Sequence, residues 1–127
     1  MKNLLLSLLI FVSLSSCSES EDPKPDAVFI RVENSSLSDF TDVTVRSGSS
    51  PVEFGAVGAG SFSDYKEFEI AYRYGMVELK ADGEELRIIP FDYVGETPLA
   101  NGYYTYNLSV QNNAAGSPYL SMELEID

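Results

Sequence analysis

The chain contains no histidine. That absence removes serine–histidine triads, histidine general bases and histidine metal sites from the chemistry available to it. There is one cysteine, Cys17, so no disulfide can form within the chain and stability has to come from packing. Basic residues are scarce too: eight Lys and Arg stand against twenty Asp and Glu, a formal net charge of −12. Such a field repels phosphate backbones and anionic headgroups, and the basic residues from Lys24 to Arg87 form no cluster, so nucleic-acid binding is not expected. The acidity reads either as solubility at a crowded surface or as affinity for a cationic partner or divalent cation.

Long apolar runs are also missing, with one exception. Leu4–Leu14 is apolar but for Ser7 and Ser13, follows Lys2, and is succeeded by Ser15, Ser16 and Cys17. Eleven residues are too few to cross a hydrocarbon core about 30 Å thick as a helix, but they suit the apolar region of a signal peptide. Leu14-Ser15-Ser16-Cys17 resembles the lipobox of bacterial lipoproteins: a leucine three residues before a cysteine, small residues between, at the end of the apolar run. The resemblance implies cleavage between Ser16 and Cys17, a diacylglyceryl group on the Cys17 sulfur and acylation of its new amine. Two or three acyl chains, at about 0.8 kcal/mol per buried methylene, hold a protein on a membrane without a transmembrane helix.

Three parts are therefore expected: a signal peptide over 1–16, a lipidated cysteine and linker over 17–26, and a domain over 27–127. Loss of Lys2 with the signal peptide moves the formal charge from −12 to −13. Ser18–Asp26 has no apolar side chain except Pro23 and Pro25, which favour an extended spacer. Its acids Glu19, Glu21 and Asp22 resemble a surface-export signal of Bacteroidota lipoproteins, and Ser18 is not the aspartate of an inner-membrane retention signal. The resemblance implies outer-membrane residence, on either face. The same composition also suits a merely soluble tether.

From Val28 onward apolar residues recur at every second position, which places them on one face of a strand. Val28, Ile30 and Val32 form one such set; Thr41, Val43 and Val45 another. Val77, Leu79 and Ala81 run into Asp82-Gly83, a pair that accepts the positive φ angles of a tight hairpin, and Leu86–Ile89 returns until Pro90. Tyr104, Tyr106, Leu108 and Val110 alternate with Tyr103, Thr105, Asn107 and Ser109. Leu120, Met122, Leu124 and Ile126 repeat the pattern after a loop over 111–118. Over Phe68–Tyr74 a strand is favoured over a helix because more positions fit period two. The glycine-rich piece Phe54–Ser61 lacks the lysine of a phosphate loop and is read as a turn between strands. Seven or eight short strands with no helical stretch indicate an all-β fold, a small antiparallel two-sheet sandwich of the immunoglobulin-like or transthyretin-like kind.

Phe29–Ser35, Asp42–Val45, Phe54–Val57 and Ser63–Tyr65, in that order, resemble domains catalogued as domain of unknown function 4397, which occur in bacterial envelope proteins. Ser35–Ser38 stands where that family often has a proline-rich turn. Pro90–Glu96 with Gly102–Tyr106 resembles small uncharacterised Bacteroidota lipoproteins. Neither resemblance implies an activity, so the one functional residue carried over is Cys17.

With histidine absent and the thiol acylated, catalysis would fall to a pair of carboxylates converging in a cleft, the chemistry of a hydrolase. No motif implies a cofactor, and no metal ligand set is assigned. Asp82–Glu85 and Asp39 with Asp42 are the nearest groupings for calcium, and they match no EF-hand loop. Tyr93, Tyr103, Tyr104 and Tyr119 lie at or beside expected loops. Tyrosine offers a flat apolar face with a polar tip, suited to sugars or protein partners, and Tyr93 and Tyr103 are the candidate ligand contacts. Three roles stay open: a membrane-tethered binding or adhesion module, a structural subunit of an envelope assembly, and a carboxylate-based hydrolase. A contiguous exposed tyrosine patch would favour the first, a regular unprotected edge strand the second.

Overall fold

A computed structural model describes residues 25–90 and 95–127. Cys17, Ser16 and Tyr93 lie outside them. Within the described residues there are eight strands and no helix: β1 (Val28–Asn34), β2 (Phe40–Arg46), β3 (Val52–Val57), β4 (Lys66–Phe68), β5 (Met76–Ala81), β6 (Glu84–Ile88), β7 (Gly102–Asn112) and β8 (Pro118–Ile126). They form two four-stranded sheets, ordered β4-β1-β7-β8 and β3-β2-β5-β6. The expected two-sheet sandwich is what forms. A division of four and four, with β1 beside β7, differs from the ABED and CFG sheets of an immunoglobulin constant domain.

The period-two sets meet between the sheets. Val28, Ile30 and Val32 of β1 and Tyr104, Tyr106 and Leu108 of β7 face Phe40, Val43 and Val45 of β2 and Val77, Leu79 and Ala81 of β5, all buried. The β5–β6 hairpin turns on Asp82 (φ 51°) and Gly83 (φ 77°), the two consecutive positive φ angles its sequence calls for.

Three local features depart from the expected pattern. First, β1 pairs with β7 in parallel, from Val28 opposite Gly102 to Asn34 opposite Leu108, whereas the other strand pairs are antiparallel. Second, Thr41 is exposed although it stands in phase with Val43, because a bulge interrupts β2. The register with both β3 and β5 shifts there, Asp42 takes φ 52°, and Phe40 instead occupies the core. Third, the alternation over Phe68–Tyr74 is a strand only as far as Phe68. Beyond it the backbone is bound by serine side chains: Ser49 Oγ donates to the Ile70 carbonyl, Ser47 Oγ accepts from the Tyr72 N–H at 2.8 Å and donates to the Tyr74 carbonyl at 2.8 Å. These hydroxyls replace ladder partners, so the segment stays irregular. The glycine-rich piece likewise divides, its first half extending β3 to Val57 and the turn confined to Gly58–Ser61.

Candidate recognition surface

On β1 and β7 the side chains that alternate with the core set point away from it, and the parallel register puts Phe29 opposite Tyr103 and Arg31 opposite Thr105. The Phe29 and Tyr103 rings stack with centroids 5.2 Å apart. The connection between β3 and β4 then runs beside β1 at its edge and turns side chains onto the same face. Ser63 pins it to β1, its N–H donating to the Val32 carbonyl and its Oγ accepting from the Val32 N–H, each at 2.8 Å. That places Tyr65 edge-on to Tyr103, with centroids 5.1 Å apart. Phe62 is set opposite Glu33 by an isolated antiparallel bridge.

Arg31 organises this surface. Its guanidinium carbon lies 4.1 Å from the centre of the Phe62 ring and 5.0 Å from that of Tyr65, within cation–π range of both. Its Nε donates to Thr105 Oγ1 at 3.0 Å and is 3.6 Å from the Asp127 carboxylate. Thr105 Oγ1 donates in turn to Asp127, and the Tyr65 hydroxyl donates to Asp127 Oδ2 at 2.7 Å. Thr105 belongs to the outward set of β7 yet is fully buried, because these side chains close over it. Burial, then the hydrogen bond to Asp127 and the charge of that carboxylate, raise the Tyr65 phenol above its ordinary value, against an opposing pull from Arg31.

The rings remain accessible: Phe62 is 49%, Tyr103 45% and Tyr65 37% exposed. Held from below by a hydrogen-bonded network, they form one contiguous aromatic platform. Farther along the same sheet face, Ser35, Asn107, Ser109, Gln111, Ser121 and Glu123 line an open depression of about 480 Å³. Hydroxyl, amide and carboxylate groups next to a flat aromatic surface suit a ligand with both apolar faces and many hydroxyls or amides.

Of the tyrosines singled out by sequence, Tyr103 is in this platform, as the second residue of β7. Tyr104 is buried and its hydroxyl donates to the Ala100 carbonyl at 2.7 Å. Tyr119 is exposed on the same sheet face at its far end, opposite Gln111, to which its hydroxyl donates. Phe29, Arg31, Phe62, Tyr65, Thr105 and Asp127 were not among the sequence candidates. One signal was present: Phe29 and Tyr103 are large aromatics at positions that alternate with the core set, where solvent-facing residues are usually polar.

The acidic turns considered for calcium are occupied by local bonds. Asp39 Oδ1 accepts from the Ala59 N–H at 2.9 Å, and Asp82 Oδ2 from Ser38 Oγ. Among the described residues no group of three or more Cys, Asp or Glu is placed to hold a metal. Asp42, Glu78 and Glu85 line a depression on the outer face of the second sheet, but Lys80 and Arg87 are interleaved with them. Glu78 stands opposite Arg87, Lys80 opposite Glu85, and Lys80 Nζ is 3.6 Å from Asp42, the cross-strand charge pairing of a solvated sheet face.

Comparison with known proteins adds the fold and nothing further. No family model matches the chain, and no curated protein matches it. A protein from Eubacterium rectale, solved by NMR, is similar in structure with a TM-score of 0.50 and 13% identity, over 80% of this chain and 93% of the other. At that identity the likeness concerns the fold alone.

Proposed function

We propose that this chain is an envelope lipoprotein, cleaved between Ser16 and Cys17 and held on the outer membrane by lipid on Cys17, whose β-sandwich is a binding or adhesion module for a protein or glycan. The observation that carries the binding role is the exposed platform of Phe62, Tyr65 and Tyr103, fixed in place by Phe29, Arg31, Thr105 and Asp127. Rings already ordered by stacking and hydrogen bonding lose little freedom when a ligand covers them, so more of the contact energy appears as affinity. Large aromatic side chains normally lie inside a small domain, and three of them in one exposed, contiguous group support a recognition role. The tether supports the same role, because a spacer between lipid and domain holds the sheet face clear of the bilayer.

The test uses the lipidated full chain, solubilised in detergent, on a glycan array and in affinity capture from envelope. Tyr103→Ala and Phe62→Ala should each abolish capture of the ligand while leaving the unfolding transition close to wild type. Ligand retention by both variants would move recognition away from this face. For the anchor, Cys17→Ala should release the protein to the soluble fraction, and continued membrane retention of that variant would refute lipidation there.

A further inference from the structure

At the opposite edge of the same sheet, β8 is nine residues long and, among the described strands, pairs with β7 alone. The pairing is unbroken from Tyr104 opposite Ile126 to Asn112 opposite Pro118. Its register fixes which backbone groups are spent. Asp127 N donates to the Tyr103 carbonyl and Asn113 N to the Ser117 carbonyl, so the odd-numbered residues of β8 exchange hydrogen bonds with β7. The N–H and C=O groups of Leu120, Met122, Leu124 and Ile126 therefore point to the free edge. Pro118 shares that phase, and its missing N–H closes the edge only at the strand's start.

The side chains at this edge are incompletely covered. Leu120 is buried, Met122 and Leu124 are partly buried against the core, and Ile126 is 75% exposed. On the outer face of the same stretch stand Glu123 and Glu125, both exposed. An added strand would complete both the ladder and the apolar seam, and its outward residues would lie beside those two acids. A second copy fits poorly: full antiparallel overlap over residues 120–126 sets Glu123 opposite Glu123 of the other copy, between chains that each carry −12.

We propose that the β8 edge takes a partner protein by strand addition, the added segment alternating apolar residues with lysine or arginine. This edge shares no residue with the rings of the aromatic platform, although Glu123 also lines the depression on the same sheet face, and Met122→Pro against Tyr103→Ala tells the two apart.

The probe is a synthetic nine-residue peptide alternating valine with lysine, measured by fluorescence anisotropy against the full chain in detergent. Its controls are a scrambled peptide of equal charge and a valine–glutamate counterpart. Met122→Pro removes an edge N–H without touching a bond to β7, so it should fold, as urea unfolding will show, and lose peptide binding. Glu123→Lys with Glu125→Lys leaves the backbone edge intact and should weaken binding roughly tenfold. Binding of the alternating peptide alone, lost in Met122→Pro and weakened in the charge-reversal variant, supports strand addition; if Met122→Pro does not fold, the charge-reversal variant and the scrambled peptide decide. Equal binding of the scrambled peptide, or binding that survives in a folded Met122→Pro variant, refutes it. A wild-type dimer in sedimentation that Met122→Pro dissolves also refutes it, since the occupant would then be a second copy.

Discussion

Asn34→Asp replaces an amide nitrogen by an oxygen in a fully buried side chain at the end of β1, with almost no change of shape. In the native protein Asn34 Nδ2 donates to the carbonyls of Ser38 and Val57 at 2.8 and 2.9 Å, while Oδ1 accepts from the N–H and hydroxyl of Ser36. One amide thus ties the β1–β2 loop to β3. Once ionised, the new side chain leaves two carbonyls without donors and aims an oxygen at them; while protonated, its O–H can serve one of the two. At about 1–3 kcal/mol for each buried group left unpaired, the expected loss is roughly 2–6 kcal/mol. For a domain of about 100 residues that corresponds to roughly 4–8 °C of Tm per kcal/mol. The loss should also depend on pH. A carboxyl facing two carbonyls is held neutral in the folded state, so its folded pKa lies above the unfolded value near ~3.9. The deficit against wild type is then smallest below the unfolded pKa and reaches its full size once pH has risen through the folded one. Urea unfolding of both proteins followed by circular dichroism, at about pH 5 and about pH 8, measures this difference. A deficit below about 1 kcal/mol at the higher pH, or one that grows on acidification, would show that the amide does not act as described.

Ser47→Ala should cost about 2–4 kcal/mol, because the buried hydroxyl serves the Tyr72 N–H and Tyr74 carbonyl and lies 3.0 Å from the Tyr106 hydroxyl. Tyr106→Phe should cost about 1–2 kcal/mol, and the double variant less than the sum of the two; additive losses in a thermal melt would count against a shared network. In an ultraviolet titration the Tyr65 phenol should ionise above the ordinary tyrosine range, and Asp127→Asn should bring it down by removing the adjacent charge. Since the neutral phenol is the form favoured on folding, its contribution to stability is intact below the unfolded pKa near ~10 and is lost as pH rises through the raised folded value. An unchanged titration in Asp127→Asn would mean that burial alone sets it.

Elements whose causes are local were legible in the order of the residues. Period-two sets from Val28, Val43, Val77, Tyr104 and Leu120 became strands with those faces inward, since alternation is a property of the extended backbone. Asp82-Gly83 marked its hairpin because few residue pairs accept two successive positive φ angles. The lack of histidine limited the chemistry before any fold was considered. The other features depend on partners distant in the chain, which meet once the sheets have formed. The parallel β1–β7 register brings Arg31 to Thr105 across 74 positions, and the Ser63 clamp brings Tyr65 and Phe62 onto the same face. Nothing near Phe68–Tyr74 indicates that Ser47 and Ser49 will take up its backbone groups and end its strand at Phe68. The outward phase of Tyr103 could be read from alternation, but its neighbours were set by which strands pair and in what register, and that choice belongs to the folded sheet.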